Sequence, residues 1–209
     1  MFLVAAALVT CLASPASQVS TDPALVALYE AGQSFADFVA GAEARQELWE
    51  TNAAAATVPE DVAVRMARLD GSYRLLAVAA ATCLDSAWSI PWMAALAEMA
   101  GNLDLRVVSP GAGGQDVMDA RPTPDGRAAT PTVVILDENG EDVGCWIERP
   151  ARQREFYLAN LKNADRQSEA RRAALQDFLG WYQDDSGASA LRELMDVLEA
   201  AEAGGAGCG

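Results

Sequence analysis

Hydrophobic and polar residues follow each other in patterns that predict helices at both ends of the chain and strands in the middle. Apolar residues recur at helical spacing from Asp22 to about Asn52, and this segment contains few helix-breaking residues. The segment from Thr57 to Gly71 has a capping threonine, a proline in its first turn and a glycine at its end, which is typical of another helix. We therefore expect an N-terminal helical region over residues 22–70.

A run of almost uninterrupted apolar residues, YRLLAVAAAT from Tyr73, predicts a strand that is buried on both faces. Helical spacing resumes from Ser86 to Ala100, and Gly101 with Asn102 ends this helix. The segment LDLRVVS then predicts a second strand, and GQDVMDA predicts a short helix after a glycine-rich loop. A strand, a helix and a second strand in this order favour a parallel pair of strands.

The clearest pattern is TPTVVILDENGEDVGCWI, in which two β-rich runs flank a turn at DENG. An Asn-Gly turn between such runs predicts an antiparallel hairpin. If Leu136 lies opposite Glu141, regular antiparallel counting places Thr132 opposite Cys145. The strands together predict an α/β fold with a mixed four-stranded sheet and helices on both faces.

Helical patterns return after Pro150 and continue to about residue 200, with an interruption at DDSGAS. The glycine-rich end of the chain, AGGAGCG within residues 201–209, predicts a flexible tail in which Cys208 is an isolated thiol. We expect a single domain over residues 22–200. Its parts are the N-terminal helices at 22–70, a core at 72–150 and a C-terminal helical flank at 151–200.

The first residues of the chain, MFLVAAALVTCLASPASQVS, combine an apolar run with the small residues Ser14 and Ala16. This pattern is typical of a secretory signal, and a run of about a dozen apolar residues is too short to span a bilayer. We therefore expect residues 1–17 to be a signal peptide and the protein to be exported, to the periplasm or outside the cell. The alternatives are a buried N-terminal helix of a cytoplasmic protein and a lipoprotein signal that ends at Cys11.

The composition argues against several kinds of chemistry. Thirty acidic and fifteen basic residues give a formal net charge of -15, so we expect a soluble, acidic protein that binds no nucleic acid. The chain contains no histidine, which removes imidazole bases and the commonest metal ligand. Its four cysteines do not form a CxxC zinc pattern. We expect no metal, no other cofactor and no integral membrane segment.

The candidate chemistry lies in the segment TCLDS, between the first strand and the following helix. Cys83 would stand just before the helix N-terminus, where free N–H groups and the helix dipole favour a thiolate. Ser86 occupies the place of the second cysteine in a CxxC pair, so it can hydrogen-bond to the thiolate but cannot form a disulfide. Asp85 would cap the helix, and its negative charge opposes formation of the thiolate.

These segments together resemble the thioredoxin-like family whose members carry a tryptophan-cysteine-glycine-aspartate-serine type motif, a later Ile-Pro and a long helical flank. The resemblance extends from about Tyr29 to Ala200. It implies a thioredoxin-like fold with helical extensions at both ends, and Cys83 as the thiol. It also implies a cis peptide bond at Thr130–Pro131, beside the cysteine and next to backbone that can pair with an extended substrate. The matching segments are TCLDS, IPWMAALAE, NLDLRVV, DVMDA, ATPTVVILDENGEDVGCW, ERPA and FLGWYQDDSGASALRELMDVL.

Two residues depart from the motif of that family. Thr82 replaces the tryptophan before the cysteine, and Leu84 replaces the glycine after it. Leu84 would then either offer an apolar contact surface or screen the thiol. A dithiol cycle through a CxxC pair is excluded, because the chain contains no such pair.

Two hypotheses for function follow from the resemblance and the residues. In the first, the protein is a monothiol disulfide oxidoreductase. Cys83 forms a mixed disulfide with protein or peptide partners, and a thiol of glutathione or of the substrate itself then frees Cys83 from this mixed disulfide. Cys145 is then the candidate resolving thiol within the chain, since the predicted register places it level with Pro131. In the second, the protein is catalytically silent and binds extended peptides or partner proteins beside Thr130 and Pro131.

Overall fold

The computed structural model of the protein describes residues 22–205 and 207–208. The expected signal peptide over residues 1–17, with Cys11, lies outside the described residues. In the part of the chain that is described, the helices are α1 (Pro23–Ala31), α2 (Phe35–Ala40), α3 (Gln46–Ala55), α4 (Glu60–Met66), α5 (Leu84–Met99), α6 (Gly114–Ala120), α7 (Ala151–Asn160), α8 (Glu169–Asp185) and α9 (Ala188–Glu202). The strands are β1 (Tyr73–Val78), β2 (Leu103–Val108), β3 (Thr132–Leu136), β4 (Asp142–Ile147) and β5 (Gly207–Cys208).

The strands form one mixed sheet in the order β2-β1-β3-β4-β5. β1 is parallel to β2 and antiparallel to β3, and β4 is antiparallel to β3 and parallel to β5. The predicted α/β thioredoxin-like fold is confirmed, with five strands instead of four. The additional strand comes from the C-terminal tail, so the prediction that the tail is flexible throughout is wrong. The tail is ordered there because Cys208 pairs with β4 and forms a disulfide with Cys145.

The central strands separate two apolar layers, which explains why their sequences are almost continuously apolar. Leu75 and Ala77 of β1 face the larger layer, which contains side chains of α2, α3, α4, α5 and α9. Leu76 and Val78 face the smaller layer, which contains side chains of α1 and α6. Because neighbouring residues of a strand point to opposite faces, a strand covered on both faces needs apolar residues at every position.

The N-terminal region is helical as predicted, but the segment 22–52 breaks twice and does not form one helix. At the first break, Gly32 lies against β2, and a Cβ atom there would approach the Arg106 Cβ to 2.8 Å. The next residue, Gln33, forms an antiparallel bridge with Val107. Close backbone contact with β2 therefore interrupts the helix, and helical spacing alone does not reveal such a contact.

The β3–β4 hairpin is confirmed, but its register differs from the predicted one. Cys145 lies opposite Val134 and not opposite Thr132. Part of this difference arises at the turn, because Glu141 pairs with Asp137 and not with Leu136. The Asp137 N–H donates to the Glu141 carbonyl at 3.0 Å. The rest arises at a β-bulge next to the turn. The predicted register assumed a regular ladder, and a bulge shifts every residue that follows it.

The C-terminal flank contributes to two apolar clusters. α9 belongs to the larger sheet layer, where Leu191 and Leu194 are fully buried. α7 and α8 form a separate cluster around Phe178 and Tyr182, which packs against Trp88 of α5. The flank therefore supports the helix that begins at the candidate thiol. Within the described residues, no helix has the length and apolarity needed to cross a membrane.

Candidate functional site

Cys83 is the N-cap residue of α5, at the end of the loop that leaves β1. Its backbone is extended, with φ -83° and ψ 123°, and its N–H donates to the Ala80 carbonyl at 2.9 Å. The side chain is half-buried and free, and it makes no capping hydrogen bond to the helix. The thiol therefore lies beside a helix N-terminus, where unpaired N–H groups and the helix dipole favour a negative charge.

The structure brings Cys83, Thr130 and Pro131 together. The Cys83 thiol donates a hydrogen bond to the Thr130 carbonyl, with a distance of 3.1 Å from Sγ to O. The Thr130–Pro131 peptide bond is cis, and β3 begins at the following residue. Thr130 is half-buried and Pro131 is buried.

Side chains from the α3 region hold the Cys83 loop in place. Arg45 Nε donates to the Thr82 carbonyl at 2.8 Å, and the Trp49 indole N–H donates to the carbonyl of the preceding residue at 3.0 Å. The Asn52 amide donates to a carbonyl in the first turn of α5 at 2.7 Å. No sequence pattern singles out these residues, because their partners lie more than thirty positions away along the chain.

Asp85 is buried and does not cap α5, so that part of the prediction is wrong. The Tyr182 hydroxyl donates to one carboxylate oxygen at 2.6 Å, and Arg149 donates to the other at 2.8 Å. Burial raises the pKa of Asp85 to about 6; the charge of Arg149 and the hydrogen bond from Tyr182 oppose this rise, and Glu148 adds to it. Burial and the adjacent carboxylate raise the pKa of Tyr182 well above its usual range.

The contacts of Asp85 continue into a buried cluster of charges. Arg149, which is 5% exposed, also donates to Glu148 at 2.8 Å, and Arg127 donates to the same carboxylate at 3.0 Å. The guanidinium of Arg149 lies 4.2 Å from the ring centroid of Tyr157 in α7. The cluster therefore connects α5 to the C-terminal flank through charged hydrogen bonds and a cation–π contact.

The segment that carries Glu148 and Arg149 also contacts the cis peptide. The Glu148 N–H donates to the Pro131 carbonyl at 2.7 Å, and Glu148 has a left-handed backbone with φ 67°. One short segment thus binds both the residue after the cis bond and Asp85. Its sequence, ERPA, was part of the family resemblance, but nothing in the pattern alone assigned it a contact with the Cys83 loop.

Ser86 does not hydrogen-bond to the thiol, contrary to the expectation from its position in the motif. Its side chain is fully buried, and its hydroxyl has no hydrogen-bond partner among the described residues. The reason is geometric: the first turn of α5 directs this residue into the interior, whereas the thiol of Cys83 turns to the Thr130 carbonyl.

Cys145 is not available as a resolving thiol, so the predicted pairing with Cys83 is wrong for this state of the protein. Cys145 forms a disulfide with Cys208, and their Cα atoms are 4.3 Å apart. Cys145 is fully buried, while Cys208 is exposed. Cys208 is therefore not an isolated tail thiol, and Cys83 is the free cysteine among those that the structure describes.

No group of three or more Cys, Asp and Glu side chains within the described residues is arranged to hold a metal ion. The site consists of one half-buried thiol at a helix N-terminus, beside the peptide bond that precedes a strand. On a mixed sheet with this strand order, such a site defines a thioredoxin-like protein with a single cysteine in place of the CxxC pair.

The chain belongs to the thioredoxin family, because the family model described as "Thioredoxin" matches residues 32–168. Two solved structures are similar over most of their length. One is a protein of unknown function from Pseudomonas aeruginosa, with 22% identity, a TM-score of 0.65, and coverage of 83% of this chain and 96% of that chain. The other is an HIV epitope scaffold, with 21% identity, a TM-score of 0.62, and coverage of 84% and 97%. At these identities the likeness shows the fold alone, and no curated protein matches the chain.

Proposed function

We propose that the protein carries out thiol–disulfide exchange through Cys83 as a single reactive cysteine. The observation that supports this most is the position of the Cys83 thiol at the N-terminus of α5, 3.1 Å from the Thr130 carbonyl. A substrate backbone that lies along this segment would bring its disulfide next to Sγ. Membership of the thioredoxin family supports a role in thiol–disulfide chemistry.

The exchange proceeds in two balanced steps. Cys83 loses its proton to solvent, and the thiolate attacks one sulfur of a substrate disulfide. A bond forms between Cys83 Sγ and that sulfur, the substrate disulfide breaks, and its other sulfur leaves as a thiolate that takes up a proton. A second thiol then attacks the substrate sulfur of the mixed disulfide and releases Cys83 as a thiolate.

The second thiol in this cycle comes from outside the protein. Ser86 cannot supply a sulfur, and the sulfur of Cys145 is already bonded to Cys208. Glutathione or a second thiol of the substrate protein or peptide therefore completes the cycle. The partners that we propose are protein and peptide thiols and disulfides, with glutathione as the small-molecule thiol.

We also propose that the protein acts after export. The apolar N-terminal pattern and the small residues Ser14 and Ala16 support this proposal. A disulfide at Cys145–Cys208 is compatible with an oxidising compartment, where such bonds persist. Cytoplasmic residence is the alternative.

Treatment of the folded full-length protein with oxidised glutathione, followed by peptide mapping, tests the exchange function. We expect a mixed disulfide at Cys83 that reduced glutathione removes. The Cys83→Ser variant should lose this adduct, while the Cys11→Ser variant should retain it. If Cys83 is modified only after denaturation, the exchange function is wrong.

The alternative is a binding module for extended peptides, and one observation favours it. Leu84 and Trp88 are half-buried in the first two turns of α5, the helix that Cys83 precedes, so both expose some apolar surface. In this case the Cys83→Ser variant would still bind cysteine-free peptides with unchanged affinity, and the wild-type protein would form no mixed disulfide.

A further inference from the structure

Gly207 and Cys208, which follow the last helix, are built into the edge of the sheet. α9 ends at Glu202, and Gly204 has a left-handed backbone with φ 78°. The Gly205 N–H donates to the Ala200 carbonyl at 2.8 Å, which closes the turn after the helix. β5 then pairs in parallel with the outer edge of β4. A backbone conformation that favours glycine thus directs the chain back onto β4.

β4 has a glycine, Gly144, at the position where β5 packs against it. A Cβ atom on Gly144 would approach the Gly207 carbonyl oxygen to 2.7 Å and a methyl carbon of Val197 to 2.6 Å. The missing side chain at Gly144 therefore leaves the space that β5 occupies. Gly144 and Gly207 are register partners, next to the pair of cysteines.

The two residues of the disulfide differ in their exposure to solvent. Cys145 is fully buried within β4, whereas Cys208 is exposed. A dissolved thiol must approach along the axis of the disulfide bond and reach the sulfur that it attacks. Cys208 is the sulfur that offers this approach.

We propose that Cys145–Cys208 is a second thiol-exchange site, separate from Cys83, which small-molecule thiols reduce at Cys208 and which releases β5 from β4 when it is reduced. In the first step, a thiolate bonds to Cys208 Sγ, the bond to Cys145 Sγ breaks, and Cys145 takes up a proton. A second thiol then attacks the mixed disulfide at the sulfur of the first thiol. The products are two cysteine thiols and one small-molecule disulfide, so atoms and electrons balance.

Release of β5 follows because the described part of the tail pairs with β4 at two positions alone, Gly207 and Cys208. β5 has only two residues, and both are exposed. The glycines that precede it gain much conformational freedom when they are released. α9 remains in place, because the Glu202 carboxylate accepts hydrogen bonds from the Gly71 N–H and the Tyr73 hydroxyl at 3.2 and 2.6 Å. The change therefore stays local to the edge of the sheet.

The test uses the full chain with Cys11→Ser and Cys83→Ser, so that the Cys145–Cys208 pair is the remaining source of thiols. The folded, oxidised protein is treated with reduced glutathione, free thiols are trapped with N-ethylmaleimide, and amide hydrogen exchange is followed by mass spectrometry. We expect both cysteines to be trapped without unfolding, and the peptide that contains β5 to exchange at least about tenfold faster. The peptide that contains β1 should exchange at an unchanged rate.

A Cys208→Ser variant in the same background serves as the second measurement. We expect fast exchange at β5 without any added thiol, and no further change when glutathione is added. Three results would overturn the proposal: free thiols at both positions in the air-oxidised protein, a disulfide that resists reduction until the protein unfolds, or reduction without faster exchange at β5. Each of these readouts is independent of the reactivity of Cys83.

Discussion

Asp85 illustrates how single side chains determine the properties of the site. It follows Cys83 by two residues, but its carboxylate contacts residues that lie far away in the sequence, Arg149 and Tyr182. Burial disfavours its charged form, whereas both of these neighbours stabilise the charge. The protonation of Asp85 therefore depends on its burial and on its contacts with the C-terminal part of the chain.

The raised pKa of Asp85 predicts a specific dependence of stability on pH. Its pKa is about 6 in the folded protein against 3.8 for the unperturbed group, so the folded state binds more protons between these values. The stability contributed by the protonated form is complete below about pH 4 and is lost as the pH rises to about 6. The loss is about 3 kcal/mol, because one pKa unit corresponds to about 1.4 kcal/mol.

Urea unfolding of the wild type and Asp85→Asn between pH 4 and pH 7.5 measures this effect. We expect the wild-type free energy of unfolding, relative to the variant, to fall through this window and to level off above about pH 7. Asp184→Asn, at an exposed position of α8, serves as the control and should show no such trend. A difference between wild type and Asp85→Asn that is constant with pH would show that the pKa of Asp85 is not raised by folding.

Removal of Arg149 should destabilise the fold strongly. Arg149→Met leaves the buried Asp85 carboxylate without its cation and Glu148 with Arg127 alone, and loss of a buried cation typically costs about 3–5 kcal/mol. Arg192→Met is the matched control: Arg192 binds Asp61 at 2.8 Å, but both side chains are about half exposed. We expect a loss of about 1 kcal/mol or less for the control in urea unfolding at pH 7. Similar losses for the two variants would show that burial of the ion pair has little effect.

The sequence does not predict which charged residues pair in the folded protein, as Asp85 and Arg149 do. The two residues are separated by 64 positions and come together only when α5 packs against the segment after β4. The TCLDS segment indicated the thiol and its helix, because a strand followed by a helix N-terminus is a local pattern. It did not indicate the direction of the Asp85 and Ser86 side chains, since that depends on the packing of the first turn.

Among the elements, the C-terminal flank packs against α5 through aromatic stacking and through a turn that contacts this helix. The Trp88 ring stacks on Trp92 and on Tyr182, with centroid distances of 6.1 and 5.9 Å. Between α8 and α9, Gly187 has a left-handed backbone with φ 70°, and a Cβ there would lie 2.3 Å from the Trp92 ring. The turn between these helices therefore requires glycine for its backbone and for its contact.

Two glycine substitutions test the fit of this turn. Gly187→Ala should destabilise the protein by at least about 2 kcal/mol, because it adds both backbone strain and a clash with Trp92. Gly180→Ala, in the interior of α8, meets no atom within 4 Å and should stabilise the protein by about 0.5–1 kcal/mol. Thermal unfolding monitored by circular dichroism gives both values. Equal effects of the two substitutions would mean that the turn does not pack as described.

Elements with strong local patterns were predicted well, and elements defined by distant contacts were not. The apolar run from Tyr73 and the two runs around the DENG turn gave the correct strands, because burial on both faces requires a continuous apolar sequence. The breaks in the N-terminal helices and β5 depend on contacts with β2 and β4, which lie elsewhere in the chain. The β-bulge also altered the register after the turn.

In the molecule as a whole, segments from both the N-terminal and the C-terminal flank contact the Cys83 loop and the first turn of α5. The α3 region supports it through Arg45 and Trp49, and α8 contributes Tyr182 to Asp85. The C-terminal tail, in contrast, pairs with β4, which lies two strands away from β1 in the sheet. The free thiol and the disulfide therefore lie in separate parts of the fold, and we expect them to respond to thiols independently.

The most direct measure of thiol–disulfide exchange by this protein is the second-order rate constant of Cys83 with a peptide disulfide, compared between the native and the urea-unfolded protein at the same pH. The Cys11→Ser variant with the Cys145–Cys208 bond intact leaves Cys83 as the free thiol, and a small reference thiol corrects for the effect of urea. We predict a native rate constant about tenfold or more above that of the unfolded chain, because the folded site holds the thiol beside the Thr130 backbone, where an extended peptide can pair. A native rate constant equal to or below the unfolded value would contradict the proposed exchange function.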